Sequence, residues 1–346
     1  MLAIVRRWDT ISFRIMGHKY HCLAALAVGA LSLGCSESEE AKKNKPPVTN
    51  VTLPDPGPLG FQLDTGDFEV APGEEVQDCY FFEVPFDEEV WVNRITLGQN
   101  SGSHHMNVFR VRTVQNLDGK PGDVVKGGEC WNSPNWADWP LVTNSQTSGV
   151  EDWKMPDGVA LKLQPREKIM LQSHYVNAST QKTPGNAKVI VNFYGVEKAD
   201  VTDELGTLFA TNQEISICPG DVHRTFEASC KGIAKDNPVT IVAANGHFHS
   251  RGQRFTMNEW DPINGKGAQF YESTSWDDPP FDKDLKVVVP PGAGISWTCD
   301  FSVKPDDCGD PKNSCCYTFG GYVEYQEHCN AFVYYYPRGA TDVNCF

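Results

Sequence analysis

Positive charge is scarce in this chain: 30 Lys and Arg side chains stand against 45 Asp and Glu, and the formal net charge at pH 7 is −15. An acidic surface repels phosphate groups, so we expect no binding of nucleic acid or of anionic headgroups. The chain also lacks a long apolar run, because its main apolar stretch covers only residues 22–33, too few to cross a bilayer. Any membrane contact is therefore expected to come from an attached lipid.

No two cysteines of the chain have the CxxC spacing, which argues against a cysteine-rich zinc site. There are 12 cysteines, and those after Cys35 are even in number. In an exported protein this count favours up to five disulfides, whereas a cytosolic protein of this size rarely carries so many cysteines. Oxidised cysteines do not ligate metals, so a metal site must use other side chains.

The first 34 residues have the pattern of a bacterial export signal, with basic side chains ahead of the apolar stretch. The sequence LSLGC that ends at Cys35 resembles a lipoprotein processing site, in which the cysteine is lipidated and becomes the new N-terminus. Ser32 replaces the Leu that is usual three residues before this cysteine, and ordinary secretion is the alternative. Residues 35–58 are expected to be the lipidated N-terminus and a flexible tether. The sequence thus predicts an exported protein, periplasmic or tethered to the bacterial outer membrane.

Short β-branched and aromatic runs dominate the rest of the chain, and no long segment has helical periodicity. Five runs begin at residues 79, 90, 104, 169 and 189, and five more begin at residues 239, 254, 285, 294 and 330. Alternation of apolar and polar residues favours antiparallel sandwiches over parallel sheets. We therefore predict an all-β protein of two tandem jelly-roll-like antiparallel β-sandwich domains, residues 59–198 and 199–346, with the acidic stretch 197–205 at their boundary.

Residues 115–159 are rich in Gly, Asn and Trp and are predicted to form a long irregular excursion. Trp131, Trp136, Trp139 and Trp153 lie in it. These indoles are expected to pack beneath the excursion and not to form a binding site.

Six of the histidines that follow the export signal fall in four short stretches of the sequence. His247 and His249 are two residues apart in a strand-like run and should share a face. His104 and His105 are adjacent and would diverge on a regular strand, so both reach one metal only at a strand end or bulge, or through different ring nitrogens. The other two of the six are His174 and His328. Neutral imidazole is the commonest protein ligand for copper and zinc, and the six would suit two mononuclear sites.

These patches, with their surroundings, resemble the copper type II, ascorbate-dependent monooxygenases, the family of peptidylglycine alpha-hydroxylating and dopamine beta monooxygenases. The resemblance covers about residues 76–336, and order and spacing agree throughout. Its motifs are Asp78-Cys79 with Val84-Pro85, Ser103-His104-His105-Met106, Leu171-Gln172-Ser173-His174-Tyr175, and His247-Phe248-His249 before Cys329-Asn330.

The resemblance implies two copper ions per chain, one in each sandwich, facing each other across a solvent-filled cleft. His104, His105 and His174 would hold the electron-transferring copper, and ascorbate or another reductant would supply its electrons. His247, His249 and His328 would hold the catalytic copper, where dioxygen attacks a C–H bond of a small organic substrate. The resemblance also implies the disulfides Cys79–Cys130 and Cys299–Cys329; a bond from Cys308 to Cys315 or Cys316 is a guess.

The chain departs from the family at three positions of the second site. His328 stands where the family has a Met, and imidazole is harder than a thioether, which favours Cu(I). Asn245 replaces the Arg that anchors a substrate carboxylate, and Phe332 replaces the assisting Tyr, while Asn330 is retained. These three are the candidate substrate-binding residues, and their identity argues against peptide amidation.

Three hypotheses follow for the function of the chain. The first is a bacterial copper monooxygenase acting on an unknown small molecule with dioxygen. The second is a non-catalytic exported protein that sequesters or delivers copper. The third is a surface interaction module whose histidines hold structural zinc or no metal.

Overall fold

The computed structural model describes residues 48–112, 117, 119–131, 139–177 and 185–346, together with two short strands near the N-terminus, Arg14–Ile15 (β1) and His18–Lys19 (β2). These two strands pair antiparallel. The rest of the predicted export signal and Cys35 lie outside the described residues. In the described part of the chain, no helix is long and apolar enough to span a membrane.

Residues 48–205 contribute the strands of a first pair of sheets, which are mostly antiparallel. The elements are β3 Phe61–Asp64, β4 Phe68–Val70, β5 Glu75–Glu83, β6 Val90–Gln99, β7 Ser103–Arg110, β8 Val124–Lys126, α1 Gly127–Trp131, β9 Leu141–Ser145, β10 Gly149–Lys154, β11 Val159–Leu163, β12 Lys168–Val176, β13 Gly185–Ala187, β14 Val189–Val196, a 3₁₀ helix Lys198–Asp200 and β15 Asp203–Glu204. One sheet has the order β15-β11-β6-β14-β3, with β10 also on β6, and the other has the order β8-β5-β12-β7-β9. β4 and β13 pair with each other in a separate two-stranded sheet.

The following residues contribute a second pair of sheets. The elements are β16 Gly206–Thr211, β17 Ser216–Ile217, β18 Arg224–Cys230, β19 Val239–His247, β20 Gly252–Asp261, β21 Gly265–Ser273, β22 Val287–Val289, β23 Gly294–Phe301, a 3₁₀ helix Pro311–Asn313, β24 Tyr317–Phe319, β25 Gln326–Glu327, β26 Asn330–Tyr336 and β27 Val343–Cys345. The sheets have the orders β22-β19-β26-β16-β27 and β18-β23-β20-β21, and β17-β24-β25 form a small third sheet. The all-β, sandwich-type fold is therefore confirmed.

The apolar faces of these sheets are buried in two hydrophobic cores. The first draws mainly on residues 61–205, and the second on residues 208–335. Phe209, Phe332 and Tyr334 come from the second group of strands but pack in the first core. The predicted boundary at residues 197–205 stays a prediction; β15, within it, pairs in parallel with β11.

Two features of the chain differ from the sequence-based expectation in detail. Residues 115–159 contain β8, α1, β9 and β10 and are not one irregular excursion. β9 is fully buried although three of its five residues (LVTNS) are polar, so alternation did not reveal it. Trp139 and Trp153 are buried in the first core as expected, while Trp136 and the side chain of Trp131 lie outside the described residues. Of the expected tether, the part from Val48 on lies against the first pair of sheets, where Val51 is buried and its N–H donates to Asn100 Oδ1.

Five disulfides join the strands and loops. They are Cys79–Cys130, Cys218–Cys316, Cys230–Cys345, Cys299–Cys329 and Cys308–Cys315. The first and fourth are the pairs that the family resemblance implied. Five disulfides indicate an exported protein.

Candidate metal centre

His104 and His105 lie at the start of β7, where the pairing with β12 is irregular. His174 of β12 is opposite His105 and Tyr175 is opposite Ser103, so His104 is the extra residue of a β-bulge. A bulge breaks the alternation of side chains along a strand. The imidazole rings of His104 and His105 therefore lie close together, with centroids 5.1 Å apart.

His247 and His249 lie where β19 ends. His247 is the last residue of the strand, and the rings of the two histidines are 5.2 Å apart. Phe248 between them is 1% exposed and packs in the second core, which fixes the turn. His328 follows β25, and its ring centroid lies 4.6 Å from that of His249. The next residue, Cys329, is bonded to Cys299 of β23, so the segment that carries His328 is tied to the second pair of sheets.

The six imidazoles form a single cluster, and each histidine is at most 4% exposed. The ring of His104 lies 4.9 Å from that of His174, 4.8 Å from that of His247 and 5.1 Å from that of His249. Two groups of three offer nitrogen atoms within 4.8 Å of one another: His104, His105 and His247, and His247, His249 and His328. The second group is the set expected from the sequence. In the first group His247 stands where His174 was expected, although the ring of His174 is only 4.8 Å from that of His105.

Hydrogen bonds to the rings fix which nitrogen of several histidines carries the proton. His247 Nδ1 lies 2.6 Å from Gln146 Oε1, and His249 Nδ1 lies 2.9 Å from the carbonyl oxygen of Gln326. Both partners can only accept, so each Nδ1 donates and each Nε2 keeps its lone pair. Neither Nε2 has a hydrogen-bond partner among the described residues.

On β7 and β12 the hydrogen bonds place the ring proton on Nε2 of His105 and of His174, and not on Nδ1. His105 Nε2 lies 3.3 Å from Gln172 Oε1, which leaves the lone pair on His105 Nδ1. His174 Nε2 lies 2.7 Å from Glu75 Oε1, and His174 Nδ1 lies 3.0 Å from Gln77 Nε2. Metal-ligating histidines usually donate their second ring N–H to a carboxylate or carbonyl in this way.

Burial keeps the imidazoles of the cluster neutral. It lowers the pKa of His174 and of His249 to about 3, and the pKa values of the other four lie well below 6.5, mainly because of burial and, in addition, because of the neighbouring histidines. A neutral imidazole offers a lone pair, whereas an imidazolium does not. The cluster is therefore in its ligating form at neutral pH.

Two carboxylates lie beside the histidines. Glu327 is fully buried and accepts hydrogen bonds from the backbone N–H groups of His249 and Arg251, each at 2.9 Å; burial raises its pKa to about 8. Glu75 contacts His174 and also accepts from the N–H of Val323, and burial raises its pKa. Both carboxylates join the histidines to residues 323–328.

The three candidate substrate-binding residues lie on β19 and β26, next to the cluster. Asn330 is the Cα partner of His247, and Asn245 is the partner of Phe332. Asn245 is 1% exposed and its Oδ1 accepts from Asn144, while the ring of Phe332 stacks on that of Phe209 at 5.3 Å. The Asn245 and Phe332 positions are thus packed inside the protein in this structure.

Several residues that shape the cluster were not identified from the sequence. They are Glu75, Gln77, Gln146 and Glu327. Gln146 follows β9 in the stretch that was expected to be irregular, so no pattern marked it. Glu327 directly precedes His328, and Glu75 and Gln77 alternate on β5 beside β12; only knowledge of the strand pairing would have singled them out.

The site fits a borderline metal ion such as copper or zinc. It has buried, neutral nitrogen donors, lone pairs on His104, His105, His247 and His249 that have no hydrogen-bond partner among the described residues, and oriented ring N–H groups. A buried polar atom without a partner is costly, and a metal ion would relieve that cost. Imidazole ligands suit copper and zinc, and all-imidazole sites leave positions open for a further ligand.

Comparison with known proteins gives one distant relative of defined activity. The chain is 23% identical over 299 residues to a tyramine beta-hydroxylase from Caenorhabditis briggsae, a match that covers 78% of this chain and 47% of that protein. The chain therefore spans about half the length of this relative. No family model matches the chain.

Solved structures overlap the chain only loosely. PNGase F, a glycosylasparaginase from Flavobacterium meningosepticum, has a TM-score of 0.37 and 9% identity over 83% of this chain and 98% of its own. The STIV MCP has a TM-score of 0.30 and 8% identity over 80% of this chain and 95% of its own. Scores this low carry no argument about the site, so the comparison that bears on the chain is its distant sequence similarity to a hydroxylase.

Proposed function

We propose that the chain is a copper-dependent monooxygenase that hydroxylates a C–H bond of a small organic molecule, with dioxygen and a reductant such as ascorbate. The observation that carries the proposal is the cluster of six buried, neutral imidazoles. The segments that bear them resemble those of copper monooxygenases in order and spacing. The similarity to a tyramine beta-hydroxylase supports the same class of reaction. The substrate of that relative is not assigned to this chain.

The protein would contribute chiefly to holding and orienting the metal ligands. The imidazoles would bind copper, which when bound supplies one-electron chemistry towards dioxygen. Gln146, Gln172 and the Gln326 carbonyl would fix the rings, because each accepts the ring N–H that does not ligate. Burial would exclude bulk water from the reacting atoms. Overall, R–H, dioxygen, two electrons and two protons would give R–OH and water, with the electrons supplied by the reductant.

The proposal is tested by metal content and oxygen uptake. We expect about two copper ions per chain after expression with copper, a type 2 Cu(II) resonance, and reductant-dependent oxygen uptake that requires copper. His104→Ala and His249→Ala should each abolish uptake. His223→Ala is the matched control, since this side chain is 71% exposed and pairs with Asp300. Uptake that continues at the full rate without copper would refute the proposal.

A second function, copper sequestration or delivery without catalysis, is favoured by one specific feature. The catalytic set carries His328 in place of the family's Met, and imidazole tolerates Cu(II) better than a thioether does. Such a protein would bind copper tightly and show no reductant-dependent oxygen uptake with any substrate. His328→Met discriminates: a gain in turnover would show that this His restrains an otherwise competent site.

We also propose that the protein is periplasmic or tethered to the outer membrane by a lipid on Cys35. The disulfides support export. Mass spectrometry of the mature N-terminus tests the lipid, and Cys35→Ser should release the protein from the membrane fraction. A mature chain that begins elsewhere and carries no lipid would contradict this assignment.

A further inference from the structure

We propose that the six histidines form one joined binuclear copper centre, in which the ligand sets adjoin at His247 and this residue can belong to either of them, and not two separate mononuclear sites. The inference rests on the proposed function for the identity of the metal. It goes beyond that function in assigning how the two ions are related.

The first argument is that ring distances do not divide the cluster into two parts. Within the set expected for the second metal, the ring centroids of His247 and His328 are 5.3 Å apart. Between the two expected ligand sets, the ring centroids of His104 and His247 are 4.8 Å apart, and so are those of His105 and His247. Ions held by these rings would therefore be neighbours, with no cleft of solvent between their ligands.

The second argument is that His247 can serve only one ion at a time. Gln146 Nε2 donates to the carbonyl oxygen of Gly246 at 2.9 Å, which orients the amide so that Oε1 faces His247. His247 Nδ1 must then donate, and only the single lone pair of Nε2 remains for a metal. Because both groups of three include His247, one full set of three imidazoles excludes the other.

The third argument identifies the residue that completes the first set when His247 is taken by the second ion. The lone pair of His174 Nδ1 accepts from Gln77 Nε2, whose orientation is fixed by its bond to the Gly321 carbonyl oxygen at 3.0 Å. The ring centroid of His174 lies 4.9 Å from that of His104. Binding of the second ion would therefore displace the Gln77 amide from His174, so that His104, His105 and His174 hold one ion and His247, His249 and His328 hold the other.

Titration of the full chain with Cu(II), followed by elemental analysis and electron paramagnetic resonance, tests the joined centre. At one copper per chain we expect about one unpaired spin per copper. At two coppers per chain we expect clearly less than one spin per copper and a half-field transition, because spins on adjoining ions couple. Two coppers that give two full, superimposed spin signals would overturn the inference, as would saturation at one copper per chain.

A pair of variants tests the sharing of His247 separately. The double variant His249→Ala with His328→Ala removes two ligands of the second set and keeps His247. Adding His247→Ala to this variant should lower the affinity for the remaining copper at least about tenfold and change its nitrogen hyperfine pattern, because His247 is then a ligand of the first set. Unchanged affinity and spectrum would mean that His104, His105 and His174 act alone, and the inference would be wrong.

The outcomes for the centre and for the proposed function can be told apart. A coupled copper pair without reductant-dependent oxygen uptake supports the joined centre and contradicts the monooxygenase. Reductant-dependent oxygen uptake by a protein with two independent copper signals supports the monooxygenase and contradicts the joined centre. A chain that binds no copper contradicts both.

Discussion

Replacement of Glu327 by Gln gives the sharpest test of how the protein builds the histidine cluster. The side chain is fully buried and, when ionised above its pKa of about 8, accepts the backbone N–H groups of His249 and Arg251, both at 2.9 Å, so the variants are compared above that pH. A Gln amide can accept only one of them with its oxygen, so its NH₂ group would face the other N–H donor. An unsatisfied buried donor costs about 1–3 kcal/mol, and we expect the free energy of unfolding of the metal-free protein to fall by that amount.

The same substitution should also weaken the metal site. Because Glu327 holds the turn that carries His249, its loss would let the ring move, and outer-shell changes of this kind typically cost about 10–100-fold in metal affinity. Urea unfolding measures the first effect, and competition with a copper chelator measures the second. Glu327→Leu, which leaves both N–H groups unpaired, should have larger effects than Glu327→Gln.

Glu324→Gln is the matched control for this substitution. Glu324 lies in the same segment, three residues earlier, and is exposed. It should change neither the free energy of unfolding nor the copper affinity measurably. If Glu327→Gln behaved like this control in both assays, the idea that Glu327 positions His249 would be wrong.

Three further predictions concern stability. Removal of Cys299–Cys329, which closes a separation of 30 residues, should cost about 3.5 kcal/mol in free energy of unfolding and also lower copper affinity, whereas removal of Cys308–Cys315, with a separation of 7, should cost about 2.5 kcal/mol and spare the metal site; equal copper affinities for the two variants would contradict this. Arg110→Met should cost about 1–3 kcal/mol because it removes the buried partner of Glu167, 5% exposed, and leaves that carboxylate only the partly exposed Arg112 and the N–H of Gln164. Adding Glu167→Gln should recover much of this loss in urea unfolding, and no recovery would argue against a charge effect. Metal-free protein should lose stability below pH 6.5, because burial lowers the pKa of His174 and His249 to about 3, so the unfolded chain binds protons that the folded chain excludes. The free energy of unfolding should therefore fall on acidification, by roughly 3 kcal/mol per pH unit for these two residues down to about pH 3. Equal free energies of unfolding at pH 6.5 and 5.5 would refute this prediction.

Ten strands of this protein were readable from the sequence, because they are short runs of β-branched and aromatic residues. Each predicted run overlaps an observed strand, although the run at residue 285 yields only Val287–Val289. Other strands, among them β11, β16, β18 and β21, were not predicted, and β9, Leu141–Ser145, shows the limit of this signal. Its Thr143, Asn144 and Ser145 are buried polar residues, and Asn144 is satisfied by Tyr334 and Asn245 from the other group of strands. Such burial depends on partners far along the chain and leaves no local pattern.

The histidines show the same difference between what a local pattern predicts and what contacts between distant strands decide. Local spacing predicted that His247 and His249 would lie together, and adjacency predicted an irregularity at His104, which the bulge supplies. The contact between the two sets is not a property of either motif. It depends on how β9 and the residue after it meet β19 and β26, where Asn144 bonds Tyr334 and Asn245 and where Gln146 bonds Gly246 and His247. Polar hydrogen bonds between distant strands thus bring the two sets of imidazoles into contact, and for that reason the sequence predicted which histidines are candidate ligands but not that their sets adjoin.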